Sequence, residues 1–245
     1  MEQRNDRAEP LNRVLGILSA EDCARIETHL ERVELPYRQP LYEANKAIEH
    51  VYFLEAGVAS LVKTMRNGAA SEVGTIGNEG IVGLPVVLGD TRGPTSVYMQ
   101  VPGHGLKMKA SLLLAEIERS DTLKAFLLRY AHAFFNQVAL SAACSHHHTL
   151  NQRCCRWLLM TYDRMQSDSF LLTQEFLAMM LGVQRPTVSL AAAKLQKSGL
   201  IKYHRGTIEV LDRDGLESRS CECYEVVRTE FERLLCDWMT PRGKR

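Results

Sequence analysis

The residue types best suited to contact a nucleic acid are concentrated in one segment of the chain, from Leu172 to Val210. Between positions 172 and 206 there are five basic residues and one acidic residue, although the whole 245-residue chain carries a formal net charge of only +1. Clustered cations bind phosphates, and amide, guanidinium and hydroxyl side chains hydrogen-bond to base edges. The predicted DNA-contacting residues are Gln184, Arg185, Thr187, Ser189, Lys194, Lys202 and Arg205.

The apolar pattern of the same segment predicts the elements that position these side chains. A helical apolar run ends at Gly182, which allows a sharp turn, and a second helix follows. Residues 200–203 and 207–210 predict two strands of a hairpin wing. The pattern indicates a winged helix-turn-helix that enters a DNA major groove; the alternative is an ordinary helical hairpin inside another domain. The inner face of the second helix consists of Val188, Ala191 and Leu195.

The composition is typical of a globular protein. With 45% hydrophobic and 24% charged residues, the chain is long enough for two domains with their own cores. No apolar run approaches ~18 residues and the first ten residues are mostly polar, so we expect no membrane span, no signal peptide and a cytoplasmic location. The seven cysteines show no spacing typical of a disulfide framework, so we expect mostly buried thiols, no metal site and no cofactor.

The N-terminal half changes character after Pro36. Residues 11–30 predict a helix in which Ser19 can start a new turn midway. Short apolar runs separated by turn residues follow, and their even spacing predicts a small antiparallel barrel or roll. The predicted strands are 41–42, 51–54, 58–64, 71–76, 97–101 and 106–108.

From about Ser111 the pattern returns to helix. Seven residues alternate steps of four and three positions, which is the a/d pattern of a two-stranded coiled coil. They are Leu123, Leu127, Tyr130, Phe134, Gln137, Ser141 and Cys144. We predict that the first six form a dimer interface; the alternative is burial against the chain's own roll. Further helices are predicted over 152–166 and 216–238.

A β-roll, a long helix and a winged helix-turn-helix containing GVQRPTVSLAAAKLQKSGLI together resemble the Crp/Fnr family of bacterial transcription regulators, over nearly the whole chain. The resemblance implies an α+β fold with three parts. These are an effector-sensing, cyclic-nucleotide-binding-like β-roll at 1–118, a dimerisation helix at 119–150 and a winged helix-turn-helix DNA-binding domain at 151–245. It also implies a homodimer that reads two half-sites of a near-palindrome, a signal sensed by the roll, such as a small-molecule effector, and contact with RNA polymerase.

The resemblance also bears on single residues of the second helix. Arg185 occupies a position that contacts a base or a phosphate in the family. Pro186 and Leu190 stand where many relatives carry Glu and Arg as base readers. Because Leu190 can at most touch a thymine methyl group, we expect an operator that differs from the family's common sequences.

The roll resembles the cyclic-nucleotide-binding fold through HVYFLEAGVASLV and GNEGIVGLPVVLGDTRGPTSV. Binders of this fold hold the ribose with a Glu and the phosphate with an Arg, because a buried anion needs a paired charge. Here Leu84 and Thr95 stand at those positions, and Arg92 is a nearby cation. We therefore expect no response to cAMP or cGMP, although backbone N–H groups of the loop 77–83 can hold another anion.

The sequence offers few residues for an iron–sulfur or metal-binding sensor. An iron–sulfur cluster of the kind found in this family needs several N-terminal cysteines, and Cys23 is the only cysteine before position 144. Adjacent histidines on a helix point in different directions, so we expect the triplet at 146–148 to be a solvated hinge rather than a metal site.

We predict a cytoplasmic, homodimeric transcription regulator that binds double-stranded DNA and is not an enzyme. Two alternatives remain. The first is a metal-dependent enzyme of the cupin-like β-barrel type, for which the roll offers only His50 and His104. The second is a scaffold whose helix-turn-helix binds a protein.

Overall fold

Antiparallel strand pairing forms the N-terminal half of the molecule. The computed structural model describes residues 12–165 and 167–236. Within them, the roll has seven strands in two sheets, ordered β1-β7-β3 and β2-β6-β4-β5. All six predicted strands fall within observed ones. The strands are β1 (Glu31–Leu35), β2 (Pro40–Tyr42), β3 (His50–Leu54), β4 (Val58–Thr64), β5 (Ala70–Ile76), β6 (Ser96–Val101) and β7 (Gly103–Lys109).

Strand β1 is the one strand of the roll that the sequence did not predict. Its sequence, ERVEL, is mostly charged and mostly exposed, and Val33 and Leu35 are its only alternating apolar residues, which is too short a pattern to predict a half-buried strand. It forms because β7 offers a pairing edge, where Lys107 and Glu31 lie opposite each other and form an ion pair of 2.9 Å.

The helix predicted over 11–30 is two helices, α1 (Arg13–Gly16) and α2 (Ala20–Glu27); Leu11 lies outside the described residues. Ser19 separates them, as the sequence suggested. Its hydroxyl caps α2 by accepting a hydrogen bond from the N–H of Asp22 at 3.1 Å.

Helix α3 (Leu84–Val87) follows β5, and α4 (Ala110–Arg119) and the long α5 (Asp121–His147) follow the roll. Ser120 starts α5 by accepting a hydrogen bond from the N–H of Leu123 at 3.2 Å. Glycines let α5 closely approach β5 and the loop that follows it. A Cβ at Gly74 would lie 2.8 Å from the Phe134 ring, and one at Gly80 would lie 2.0 Å from the Tyr130 ring.

This packing corrects the predicted dimer interface. The exposed fraction is 0% for Leu123, Leu127 and Tyr130, 7% for Phe134 and 1% for Gln137. The amide of Gln137 donates to the carbonyl of Thr75 at 3.0 Å, and Ser141 is half-buried and donates to the Gln137 carbonyl. The seam therefore fills the interior of the protomer, as in the alternative interpretation, because its aromatic residues find a close-packed surface on the roll.

The C-terminal half begins with α6 (Leu150–Tyr162), where a helix was predicted over 152–166; Gln166 lies outside the described residues. A three-stranded sheet ordered β8-β10-β9 carries the wing. The helix predicted over 216–238 is broken after Arg219, and Trp238 lies outside the described residues. The elements are β8 (Ser169–Leu171), α7 (Gln174–Leu181), α8 (Arg185–Lys197), β9 (Ile201–His204), β10 (Thr207–Val210), α9 (Arg213–Arg219), α10 (Cys223–Phe231) and a π-helical turn (Glu232–Cys236).

No single helix in the described parts of the chain has the length and apolar character needed to cross a membrane. Helices α7 and α8 meet that criterion only when taken together, and they are bent by 104° at their junction.

Candidate nucleic-acid interface and its link to the roll

Helices α7 and α8 form a helix-turn-helix, and capping residues set where each helix begins or ends. The Thr173 hydroxyl caps α7 by accepting from the N–H of Phe176 at 3.2 Å, and Gly182 ends it with a φ of 64°. Pro186 lies in the first turn of α8, where a missing N–H leaves no helical hydrogen bond unmade. The predicted inner face of α8 is buried against α7: Val188, Ala191 and Leu195.

The opposite face of α8 is presented to solvent. Gln184, Arg185, Thr187 and Lys194 are all exposed there, as predicted. Ser189 is different, because it is half-buried and its hydroxyl lies 2.8 Å from the Gln174 side-chain oxygen and 3.0 Å from the Arg185 carbonyl. The structure thus gives Ser189 a role within the protein, between α7 and α8.

Exposed Leu190 adds an apolar side chain to the outer face of α8. It is 67% exposed, beside the polar side chains of that face. An apolar side chain here can contact a thymine methyl group in a major groove.

The wing carries two exposed cations, Arg205 at the tip of its turn and Lys202 on one of its strands. Arg205 has a φ of 48° and Gly206 a φ of 82°, so the two residues form the tight turn between β9 and β10. Glycine or asparagine is the usual residue at the first of these positions, and an arginine there accepts backbone strain to place a cation at the tip. Lys202 on β9 is exposed and lies 3.7 Å from Glu209.

The roll contacts α7, and the outer face of α8 is exposed. The rings of Tyr37 and Tyr98 lie 6.0 and 5.9 Å from the ring of Phe176, and Arg38 forms an ion pair with Glu175 at 3.3 Å. The first helix of the pair is therefore docked on the sensor half, while the second faces outward.

A buried ion pair forms a second junction between the halves. The Arg164 guanidinium, just after α6, donates from Nε and Nη2 to Oε1 of Glu79 at 3.0 and 2.8 Å. The same Nη2 lies 3.2 Å from the side-chain oxygen of Gln137 on α5. The roll, the long helix and the C-terminal half thus meet at one guanidinium.

Glu79 also changes the expectation for the loop 77–83. The backbone N–H of Gly77 donates to the Glu79 carboxylate at 3.1 Å. The anion held by this end of the loop is therefore the protein's own side chain, and its countercharge comes from Arg164. A cavity of about 340 Å³ lies beside the pair, lined by residues of both halves that include Arg13, Arg213 and Phe231.

A third junction joins β5 to α6. The indole N–H of Trp157 donates to the Glu72 carboxylate at 3.0 Å. Burial raises the pKa of Glu72 to about 7, against the opposing effect of hydrogen bonds from Ser60 and Trp157.

The positions that anchor a cyclic nucleotide in this fold hold neutral side chains. Leu84 packs against the core, and Thr95 hydrogen-bonds to Tyr42, whose pKa burial raises to about 12. Arg92 is exposed, and its backbone N–H donates to the Asp90 carboxylate at 3.0 Å. Leu84 and Thr95 therefore supply no charged anchor at these two positions.

Helix α5 carries an exposed apolar stripe that the sequence analysis did not single out. Leu128 and Phe135 are 49% and 68% exposed, and alanines continue the same face toward the end of the helix. The stripe repeats at steps of four and three positions through Leu128, His132, Phe135, Ala139 and Ala142. It is a second heptad pattern, displaced by two positions from the buried one and therefore on the opposite side of the helix.

The two histidines of the roll do not form a metal site. His50 lies opposite Lys109 on β7, whereas His104 lies five residues earlier on the same strand. At about 3.3 Å per residue, the two positions are roughly 16 Å apart along the strand.

Comparison with known proteins agrees with this geometry. The family model of the cyclic nucleotide-binding domain matches residues 32–120, and that of the Crp-like helix-turn-helix domain matches residues 152–219. No curated protein sequence matches the chain.

Several solved structures are similar. FixK2 from Bradyrhizobium japonicum is 15% identical, with a TM-score of 0.67 over 78% of this chain and 98% of that one. The transcriptional regulator TTHB099 from Thermus thermophilus is 18% identical, with a TM-score of 0.60 over 78% and 96%. The c-di-GMP-responsive regulator CLP from Xanthomonas campestris is 16% identical, with a TM-score of 0.59 over 78% and 99%. At these identities the likeness is one of fold.

The two family models together match well over half of the chain, in the order that the fold shows. The protein belongs to the Crp/Fnr family of transcription regulators: it is a DNA-binding regulator that senses a signal through its cyclic-nucleotide-binding-like domain.

Proposed function

We propose that this chain binds a near-palindromic operator as a homodimer, with one α8 in the major groove of each half-site. The observation that carries the proposal is the outward polar face of α8, which lies opposite the face buried against α7. A helix presented in this way fits the major groove, and two copies related by a two-fold axis fit half-sites one DNA turn apart.

The exposed residues divide by chemistry. Arg185, Gln184 and Thr187 lie at the N-terminal end of α8, where recognition helices contact base edges. Lys194, Lys202 and Arg205 are placed for phosphates, which fix orientation without reading sequence. Ser189 instead positions Gln174 and the first turn of α8 through the hydrogen bonds of its hydroxyl.

The dimer interface in this proposal is the exposed stripe of α5 centred on Leu128 and Phe135. An exposed phenylalanine and leucine on one helix face, followed by small alanines, leave apolar surface that a second α5 can cover. The buried seam on the opposite face then holds each α5 rigidly on its own roll.

The signal passes, in this proposal, through the junctions between the sensor at 1–118, the helix at 119–150 and the DNA-binding domain at 151–245. Glu79 and Arg164 join these parts directly, and a ligand in the neighbouring cavity would touch both halves. An effector acts only if its affinity differs between two arrangements of the dimer. Contact between the bound dimer and RNA polymerase completes the proposal.

Selection of bound sequences from random DNA tests this function. We expect enrichment of two inverted half-sites with centres about 10 base pairs apart, and protection of both by one dimer. The matched control is Leu190→Ala, which should keep the half-site spacing and lose preference at one base pair only. Enrichment of a single asymmetric site, or of no site, would contradict the proposal.

A further inference from the structure

Three cysteines and one histidine converge where the long helix ends. Cys144 lies in the last turn of α5 and His148 is the C-cap of that helix, whereas Cys221 lies between α9 and α10 and Cys223 is the first residue of α10. The sulfur atoms of Cys144 and Cys221 are 3.5 Å apart, and the Cys223 sulfur is 3.7 Å from Nδ1 of His148. The four candidate ligand atoms all lie within 4.8 Å of one another.

These separations match a single tetrahedral metal ion. With Zn–S bonds of about 2.3 Å and a tetrahedral angle, two ligand atoms lie roughly 3.8 Å apart. An iron–sulfur cluster places several iron and sulfide atoms between its thiolates and needs a wider cage than this one. Three thiolates and an imidazole form one of the common ligand sets of structural zinc sites.

The hydrogen-bond partners of His148 also fit a metal ligand. Its Nδ1 faces the cluster, and its Nε2 lies 3.0 Å from the Glu222 carboxylate. A metal-bound imidazole usually donates its other N–H to a carboxylate, which fixes the ring and its tautomer. His148 is thereby oriented as a ligand through Nδ1.

A buried cation balances the charge. Zinc with three thiolates and a neutral imidazole carries one net negative charge. Arg156 on α6 is buried, its Nη2 donates to Ser141 at 3.0 Å, and its Nε has no hydrogen-bond partner in the structure. No carboxylate of the described residues lies within ion-pair distance of this guanidinium, which acts electrostatically on Cys144, on Cys223 and on the more distant carboxylate of Glu72. A negatively charged metal centre beside Arg156 would supply this buried cation with a direct counter-charge.

The three cysteines also differ from ordinary core thiols. Cys154 and Cys155 are packed within the main hydrophobic core, as expected for small apolar residues. Cys144, Cys221 and Cys223 form a separate buried cluster of their own. Their principal neighbours are one another, His148 and Arg156 rather than aliphatic side chains.

We propose that Cys144, His148, Cys221 and Cys223 bind one Zn²⁺ ion that fastens the end of α5 to the C-terminal helices of the DNA-binding half. The thiolates and imidazole suit zinc, whereas Mg²⁺ and Ca²⁺ require oxygen ligands. The ion closes a chain loop of 77 positions between Cys144 and Cys221. It therefore fixes the orientation of the DNA-binding half relative to the helix that precedes it.

Metal analysis of the full-length protein tests the proposal. The protein is purified in reductant without a polyhistidine tag, and its zinc content is measured by mass spectrometry. We expect about one zinc per protomer, and less than about a tenth of that in Cys221→Ala and Cys223→Ala. Two matched controls should keep their zinc: Cys154→Ala, a buried thiol outside the cluster, and His146→Gln, an exposed neighbour of His148.

Cobalt substitution keeps the test valid if a variant folds poorly. Wild-type protein stripped of metal and titrated with Co²⁺ should give the visible bands of a tetrahedral ion and a thiolate charge-transfer band, both saturating at one equivalent. Circular dichroism reports whether each variant is folded. Folded, reduced wild-type protein without stoichiometric zinc and without this cobalt spectrum overturns the proposal. So does stoichiometric iron with sulfide, or equal loss of zinc from the control variants.

Discussion

The Arg164 guanidinium of the DNA-binding half and the Glu79 carboxylate of the roll form a buried ion pair, with Nη2 and Oε1 separated by 2.8 Å. Removing one partner leaves an uncompensated charge in a poorly solvated site. We expect Glu79→Gln or Arg164→Met to lower the free energy of unfolding by about 3–5 kcal/mol, measured by urea denaturation.

The double variant and a surface control complete this cycle. Glu79→Gln with Arg164→Met should unfold at a higher urea concentration than either single variant, because no buried charge is left unpaired. Lys46→Met, which removes an exposed pair with Glu43, should change the unfolding free energy by less than about 0.5 kcal/mol. A Glu79→Gln protein as stable as the wild type would show that the pair contributes nothing.

Phe135→Glu is expected to give monomers by multi-angle light scattering, because it places charge in the exposed stripe of α5. Binding to the selected operator should weaken in parallel, since a monomer reaches one half-site. Leu88→Glu, at an equally exposed leucine on the roll, is the control and should remain dimeric.

Leu127→Glu, on the buried face of the same helix, separates the two faces. It should destabilise the fold itself, by several kcal/mol, because it buries a carboxylate in the core. If Leu127→Glu gave a folded monomer and Phe135→Glu remained dimeric, the dimer interface would be the seam that contains Leu127 and not the exposed stripe.

Arg185→Ala should weaken binding to the operator by about 1–3 kcal/mol and should weaken binding to random DNA much less, because a guanidinium that reads a base contributes only at the specific site.

Arg205→Asn should weaken binding to operator and to random DNA equally, and should reduce the salt dependence of binding by about one phosphate contact. Asparagine tolerates the positive φ at this position, so the variant removes the charge and keeps the turn. Fluorescence anisotropy at several salt concentrations measures both effects; equal losses on both DNAs for Arg185→Ala would reassign it to a phosphate.

Operator binding should not respond to cAMP or cGMP, because Leu84 and Thr95 supply neither a carboxylate for a ribose nor a cation for a phosphate. Calorimetry with millimolar nucleotide and operator titrations with and without it provide the measurement. Saturable binding that tightens operator affinity would show that Arg92 or another cation serves the phosphate.

Stability should depend on the ionisation of Glu72. Burial raises its pKa in the folded protein to about 7 from an ordinary value of 4.5, so the folded state binds more protons than the unfolded state between these two values. The free energy of unfolding should therefore fall as pH rises through about 4.5 to 7. Glu72→Gln should remove this pH dependence and raise the free energy of unfolding at pH 8 relative to the wild type. The control Glu118→Gln, which changes an exposed side chain, should show the same pH dependence as the wild type. A Glu72→Gln protein with unchanged pH dependence would exclude this carboxyl as the cause.

The sequence by itself determined the local elements and the family. Periodic apolar residues, Gly182 and Pro186 specify the helix-turn-helix because turn geometry and helix packing act over a few residues. Evenly spaced turns specify the roll in the same way, and the outer face of α8 follows from the inner one.

Tertiary packing decided which of two faces of α5 is buried. Both carry a heptad pattern, and sequence periodicity alone cannot say whether a partner chain or the roll covers a stripe. Gly74 and Gly80 settle it, since they open space on the roll for Phe134 and Tyr130. Strand β1, in which Val33 and Leu35 are the only alternating apolar residues, likewise depended on the edge of β7.

Tertiary structure also brought together groups that are distant in sequence. Glu79 and Arg164 are separated by 85 positions, and Cys144 and Cys221 by 77. Local patterns show neither pair, because their proximity follows from how the roll, α5 and the C-terminal helices pack. The sequence therefore predicted mostly buried thiols and a solvated histidine hinge, and the fold places His148 beside three cysteines.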